Sequence, residues 1–138
     1  MKRFLICLLA LILSVPAAAA DDAVPIGPGE FREYAEGYTL YFERDGEYFG
    51  SESFEPGGEV RWRYRDGSCV SGNWRAHGAQ ICFLYESEAQ DDVLCWRMLR
   101  DEEGLLARLL NGDNPGLELR IVGRDREPLL CGDPGTQT

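Results

Sequence analysis

The residues best suited to chemistry in this sequence are its cysteines. Five are present: Cys7 lies in an apolar run near the N-terminus, and the other four are Cys69, Cys82, Cys95 and Cys131. Cys7 lies within the predicted leader described below, so four cysteines remain in the exported chain. An even number of cysteines in a small exported domain predicts two disulfides. A zinc site is the alternative, but the chain has no Cys-x-x-Cys pair and a single histidine, whereas structural zinc ligands usually come in close pairs. We therefore expect two disulfides, no metal and no cofactor.

The spacing of the cysteines favours one of the three possible pairings. Residues 80–86 and 93–99 have the alternation of two strands joined by a polar loop. An antiparallel register centred on that loop places Cys82 opposite Cys95, with Cβ atoms about 4.5–5.5 Å apart, which is close to what a disulfide needs. Cys69 is then left to pair with Cys131.

The first twenty residues have the pattern of a secretory signal peptide. Lys2 and Arg3 precede a short apolar run, and small residues end the segment at Ala20. The run is too short to span a bilayer. Cleavage after Ala20 leaves 118 of the 138 residues, enough for one domain. We expect a periplasmic or secreted protein that is not inserted in a membrane once the leader is removed.

The charge of the exported chain is strongly acidic. Lys2 and Arg3 leave with the leader and no acidic residue does, so the net charge falls from −10 to −12. Such a field disfavours nucleic acid and anionic membranes as partners, and it favours a basic envelope protein if there is a partner. Solubility alone is the simpler explanation of the charge.

Catalytic patterns are weak in this sequence. The sole histidine, His77, precedes a glycine in a predicted turn, and no Gly-x-Ser-x-Gly elbow is present. A general base needs an oriented partner, and nothing in the pattern supplies one. We expect no catalytic residues, and therefore a protein that is not an enzyme.

Two acidic clusters could in principle bind calcium. One contains Glu86, Glu88, Asp91 and Asp92, and the other spans residues 111–114. Neither has the ligand spacing of a calcium loop, so solvated loops are the better interpretation.

Three arginines, Arg61, Arg63 and Arg65, alternate along one predicted strand. They could contact an anion or a partner through bidentate hydrogen bonds. The alternative is pairing with neighbouring acids such as Glu47 and Glu52. The acidity of the chain favours pairing.

The elements that carry these residues are almost all strands. One short helix is predicted over Glu30–Glu36, ending before Gly37. About eight short strands at intervals of roughly 8–12 residues predict an all-β antiparallel meander, closed into a small barrel or a sandwich. The β domain spans 30–132, and the flanking segments 21–29 and 133–138 are expected to be flexible. The strands are expected near 38–43, 47–54, 59–65, 68–74, 80–86, 93–99, 105–109 and 117–121, with a short final piece at 128–131.

The aromatic residues of these strands could line a ligand site. Trp62, Trp74 and Trp96, with Tyr41, are the candidates for the mouth of a barrel that holds a small apolar ligand. The simpler interpretation is that these rings fill the core. Gly72-Asn73-Trp74 also matches the Gly-x-Trp motif of lipocalin-type barrels. In those proteins the motif lies on the first strand, whereas here it lies in mid-chain.

A resemblance covers most of residues 30–132. The segments Gly72-Asn73-Trp74, Ile81–Glu86 and Cys95-Trp96, with the cysteine spacing, resemble a family of small exported bacterial proteins of unknown function. The resemblance implies a secreted β domain and assigns no activity.

These observations predict a periplasmic, non-enzymatic binding or interaction protein, acidic and stabilised by disulfides. Two more specific hypotheses are an inhibitor of a basic enzyme such as lysozyme, towards which the negative field would steer the protein, and a barrel that binds a small apolar ligand.

Overall fold

Short alternating segments separated by glycine-containing turns build nearly the whole molecule. The computed structural model describes residues 22–86 and 92–132. One helix, α1 (Pro28–Ala35), precedes most of the strands. The strands are β1 (Val24–Pro25), β2 (Thr39–Arg44), β3 (Glu47–Phe54), β4 (Glu59–Arg63), β5 (Cys69–His77), β6 (Gln80–Tyr85), β7 (Leu94–Asp101), β8 (Gly104–Leu109) and β9 (Glu118–Asp125).

Strands β2 to β9 form a closed antiparallel barrel. Each pairs with the next along the chain, and β9 returns to pair with β2. The predicted meander is confirmed, and closure selects the barrel over the sandwich. The predicted register of the β4–β5 hairpin is also confirmed, since Trp62 lies opposite Val70. Closure gives every strand one interior face, on which alternate side chains lie.

The two ends of the barrel differ because the hairpin turns alternate between them. The turns at Asp45-Gly46, Asp66-Gly67 and 111–116 lie at one end, which we call the open end. The turns at 55–58, 77–79 and 102–103 lie at the other, the closed end. Asp45 and Gly46 have φ of 52° and 80°, the left-handed pair that a tight two-residue hairpin requires.

Helix α1 covers the closed end. It starts at Pro28 rather than at Glu30, because proline is well tolerated in a first helical turn. Its predicted apolar face is buried at Phe31 and Ala35. The ring of Phe31 packs edge-to-face on Phe54 and Trp74, with centroids 5.5 and 5.7 Å apart. Aromatic packing of this kind fixes the helix against the strand ends.

The segment before the helix, expected to be loose over 21–29, is ordered from β1 onwards. Val24 and Pro25 pair with β7 opposite Arg100 and Leu99. Ile26 is 6% exposed, and its N–H donates to the carbonyl of Met98 at 3.0 Å. The physical reason is that β6 pairs with β7 only near Leu94–Trp96, which leaves backbone groups of β7 free for β1.

Both predicted disulfides are present. Cys82 and Cys95 lie directly opposite on β6 and β7 and are bonded to each other. Cys69, at the start of β5, is bonded to Cys131, 62 residues later in the chain.

The chain after β9 crosses the outside of the barrel as an irregular segment, residues 126–132, which we call the strap. Thr39 Oγ1 donates to the carbonyl of Glu127 at 2.9 Å, and Arg63 Nε donates to the carbonyl of Leu130 at 2.8 Å. The N–H of Gly132 donates to the carbonyl of Gly67 at 3.0 Å. The short strand expected at 128–131 does not form, because isolated hydrogen bonds to Thr39, Arg63 and Gly67 hold the segment in place of a continuous ladder. The predicted flexible tail at 133–138 lies outside the described residues.

The Cys69–Cys131 bond, which ties the strap to β5, should be the more stabilising of the two disulfides. Replacing both of these cysteines by serine should lower the free energy of unfolding by about 4 kcal/mol, because the bond closes the longer loop in the unfolded chain. The matched control replaces Cys82 and Cys95, whose 13-residue separation predicts a loss of about 3 kcal/mol. Urea unfolding of the two variants measures both losses, and a larger loss from the control pair would contradict the expectation.

Candidate functional site

The interior of the barrel contains a cavity of about 530 Å³. It extends from the helix at the closed end, where Phe31 contributes, to the turn between β4 and β5, where Arg65 and Asp66 contribute. Most of its wall is apolar or aromatic. The principal lining side chains are Phe42, Phe49, Phe54, Trp62, Ile81, Phe83, Tyr85, Leu94, Trp96, Met98, Ala107, Leu109, Leu117 and Leu119.

Small residues on the inner face of the barrel help to shape this cavity. At Gly50, a Cβ atom would lie 2.2 Å from Cζ2 of Trp62, so only glycine lets the indole lie against β3. The Trp62 ring then contacts Phe42 and Phe49, with centroids 5.6 and 6.0 Å apart. Ala107 of β8 contributes a single methyl group to the wall. The space therefore depends on small side chains as well as on the barrel itself.

The rim of the cavity lies beside the turn between β4 and β5. Tyr64 is 42% exposed, and Arg65 and Asp66 are also exposed. Ser68 fixes this turn by donating from its Oγ and its N–H to Asp66 Oδ1, at 2.6 and 2.9 Å. These hydrogen bonds lower the pKa of Asp66 because they favour the charged carboxylate. The strap holds the same turn from outside through Gly67.

A carboxyl group lies inside the cavity wall. Glu52 of β3 is 4% exposed and is one of the residues that line the cavity. Tyr85 donates its hydroxyl hydrogen to Glu52 Oε1 at 2.8 Å. Within residues 22–86 and 92–132, no arginine forms an ion pair with Glu52. An acidic group is thus enclosed among rings without a compensating cation.

Burial changes the acidity of Glu52 strongly. Loss of hydration raises its pKa from 4.5 to about 8, and the hydrogen bond from Tyr85 opposes this rise only in part. Near neutral pH the side chain is therefore mainly protonated in the folded protein and ionised in the unfolded chain. Folding then takes up a proton, so this group destabilises the fold increasingly as pH rises from about 4.5 to about 8.

The three arginines do not form one uniform stripe. Arg61 is exposed beside an outer groove, Arg63 donates to the strap and to the Tyr48 hydroxyl at 3.4 Å, and Arg65 lies at the cavity rim. Strand β4 ends at Arg63, so Arg65 belongs to the turn. The expected pairing with Glu52 is wrong, because Glu52 lies opposite Trp62 and shares its interior face. Contact of these arginines with an anion or a partner stays a prediction.

The outer groove beside Arg61 is a second concavity, of about 610 Å³. It lies between the strap and the outer faces of β3 to β5, and its lining includes Glu55, Glu59, Arg61 and Arg126. Charges of both signs and a mainly polar wall make it a weaker candidate for a small-molecule site than the apolar interior.

The predicted aromatic lining is divided between three places. Trp62 and Trp96 line the cavity. Trp74 instead packs under the helix at the closed end, with the guanidinium of Arg32 4.3 Å from its ring centroid. Tyr41 lies on the outside and donates its hydroxyl hydrogen to Asp125 Oδ2 at 2.9 Å. Gly72 of the Gly-x-Trp motif allows β6 to approach, since a Cβ there would lie 2.5 Å from the carbonyl oxygen of Leu84.

Other candidate groups are not assembled into sites in the described part of the chain. His77 is exposed at the end of β5. Among residues 22–86 and 92–132 there is no group of three or more histidine, cysteine, aspartate or glutamate side chains placed to hold a metal. No helix within those ranges is long and apolar enough to span a bilayer. Glu88 and Asp91 of the first acidic cluster, like the predicted leader, lie outside the described residues.

Glu52 is the functional candidate that the sequence interpretation missed. A signal was present in the alternation of β3: Phe54 is a large apolar residue, and residues two apart on a strand share a face. Glutamate is rarely fully buried without a partner. The residue type therefore predicted an exposed side chain at Glu52, whereas the alternation predicted a buried one.

Comparison with protein-family models, with curated proteins and with solved structures finds no match to this chain. No relative therefore assigns a role to any of these residues, and the resemblance to a family of exported proteins stays a prediction.

The buried carboxyl should be visible in the pH dependence of stability. For the wild type, the free energy of unfolding should fall between pH 5 and pH 8, by on the order of 4 kcal/mol in total if one unit of pKa shift is worth about 1.36 kcal/mol. Glu52→Gln keeps the shape and can still accept a hydrogen bond from Tyr85, so it should remove most of this slope and be the more stable protein at pH 8. Urea unfolding at several pH values measures the slope.

The matched control is Glu47→Gln, at an exposed position of the same strand. It should leave the slope unchanged. Equal slopes in the wild type and in Glu52→Gln would show that Glu52 is not buried in its protonated form.

Proposed function

We propose that this protein is an exported, non-enzymatic binding protein that holds a small, mainly apolar ligand inside its barrel. The observation that carries the proposal is the interior cavity of about 530 Å³ with its aromatic and aliphatic wall. Small-molecule sites typically have volumes of roughly 300–1,000 Å³ and apolar linings with few polar groups.

The cavity is supported as a permanent feature by what surrounds it. A closed barrel fixes the positions of all eight strands, and Phe31 with Trp74 closes one end. The other end is bounded by a turn that Ser68 and the strap hold in place. A ligand would therefore enter a site that needs little rearrangement, which lowers the entropic cost of binding.

Binding is favoured over catalysis by the composition of the wall. The carboxyl of Glu52 has the Tyr85 hydroxyl as its neighbour, and Asp66 lies at the rim. General acid–base chemistry needs a second, oriented titratable group within hydrogen-bond reach of the reacting atom. The described lining residues offer one carboxyl at depth, which suits recognition of a ligand better than turnover.

Export to the periplasm is supported by the predicted leader and by the two disulfides. Disulfides of this kind persist in oxidising compartments. Inhibition of a basic enzyme such as lysozyme has the net charge in its favour, but charge does not account for an apolar cavity. We therefore place ligand binding first.

Filling the cavity should weaken ligand binding. Ala107→Phe adds a ring to the interior wall and should weaken binding of the neutral fluorescent probe N-phenyl-1-naphthylamine at least tenfold, because the added ring occupies the space that the probe needs. Fluorescence titration measures the dissociation constant.

The control is Ala79→Phe, which adds the same ring at an exposed turn of the closed end. It should bind the probe like the wild type. A probe that does not bind the wild type, or that binds Ala107→Phe equally well, would count against an interior site.

A further inference from the structure

We infer that the ligand is a lipophilic cation, with an apolar body held by the rings of the cavity and one ammonium centre held by the carboxylate of Glu52. This inference rests on the proposed function and specifies the class of ligand. It combines three observations: the position of Glu52, the rings around it, and the charges that are present or missing nearby.

The first observation is that Glu52 is enclosed without a cation. It is 4% exposed, and its hydrogen-bond donor in the described chain is the neutral hydroxyl of Tyr85. An isolated buried carboxylate is costly, and the cost is offset when a cation accompanies it. A ligand that brings a positive charge would supply the missing partner, whereas a ligand with a carboxylate would add a second negative charge beside the first.

The second observation is the aromatic surroundings of Glu52. Its neighbour on β4 is Trp62, and Tyr85 reaches it from β6. The ring of Tyr85 is stacked on that of Phe83, with centroids 6.1 Å apart. Faces of aromatic rings attract ammonium groups, most strongly where water is excluded. Rings around one carboxylate are therefore suited to a cation with an apolar body.

The third observation concerns the remaining charges. On β2 the neighbour of Glu52 is Leu40. Besides Glu52 and Tyr85, the titratable groups that line the cavity are Tyr64, Arg65 and Asp66. Arg65 and Asp66 both lie in the rim turn and have opposite formal charges, so together they add no net charge there. The net negative charge of the whole chain would raise the local concentration of cations at the rim.

A protonated Glu52 could instead donate a hydrogen bond to a neutral acceptor such as a ketone. The two alternatives differ in their pH dependence. A cation binds the ionised carboxyl, so its affinity should rise with pH up to the pKa of about 8. A neutral acceptor needs the protonated carboxyl, so its affinity should fall over the same range.

The test compares two ligands that differ only in charge. The cation is (2-naphthylmethyl)trimethylammonium, and the neutral control is 2-neopentylnaphthalene, in which carbon replaces the nitrogen. Displacement of N-phenyl-1-naphthylamine measures both affinities. With the wild type at pH 8.5, the cation should bind at least tenfold more tightly than its neutral analogue. From pH 8.5 to pH 6 the affinity of the cation should fall 10-fold to 100-fold, while that of the analogue should stay constant.

Two variants assign the effect to Glu52. In Glu52→Gln the preference for the cation over the neutral analogue and the pH dependence of that preference should both disappear. Tyr85→Phe removes the hydrogen bond but keeps the carboxyl, so it should retain the preference for the cation. Near-ultraviolet circular dichroism confirms that each variant is folded.

The outcomes separate this inference from the proposed function. Equal or tighter binding of the neutral analogue by the wild type would overturn the cation and leave the apolar site in place. Tighter binding of 2-acetylnaphthalene at pH 6 than at pH 8.5 would identify Glu52 as a hydrogen-bond donor and would likewise overturn the cation. If neither the naphthalene ligands nor the fluorescent probe bind, both proposals fail together.

Discussion

Closure of the sheet is the constraint on which the rest of the structure depends. Once β9 pairs with β2, every strand has an inner and an outer face, and the parity of a residue along its strand decides its environment. The same rule places Trp62 and Phe54 inside, and it places Glu52 there as well. The unusual position of the Glu52 carboxyl thus follows from the geometry that builds the core. The surrounding apolar contacts offset the free energy that burial of this carboxyl costs.

Much of the fold could be predicted because hairpins are local. The opposition of Trp62 and Val70, the pairing of Cys82 with Cys95, and the order of the strands all follow from turn residues and alternation. The strap could not be predicted in this way, because its hydrogen bonds join residues up to 88 positions apart. Strand β1 could not be predicted for a related reason. Its partner is a stretch of β7 that β6 leaves unpaired, and local patterns do not reveal such a stretch.

The site was predicted only in part because interior volume is a property of the assembled barrel. Of the three tryptophans, Trp62 and Trp96 line the cavity and Trp74 packs beneath the helix, although all three have the same apolar character in the sequence. They differ in their position along the barrel axis, because Trp74 lies at the end that α1 covers. Gly50 shows the same limitation: its role is visible only when the indole of Trp62 lies against it.

The strap has a consequence for the order in which the molecule is completed. Near its end, Cys131 is bonded to Cys69 and the N–H of Gly132 donates to the carbonyl of Gly67, and these two contacts hold the turn beside the cavity. Cys131 follows β9 in the chain, so the barrel can close before the Cys69–Cys131 bond forms. Oxidation of this pair would then be the step that fixes the turn at the cavity rim, so the shape of the rim should depend on the redox state of two cysteines that lie 62 residues apart in the chain.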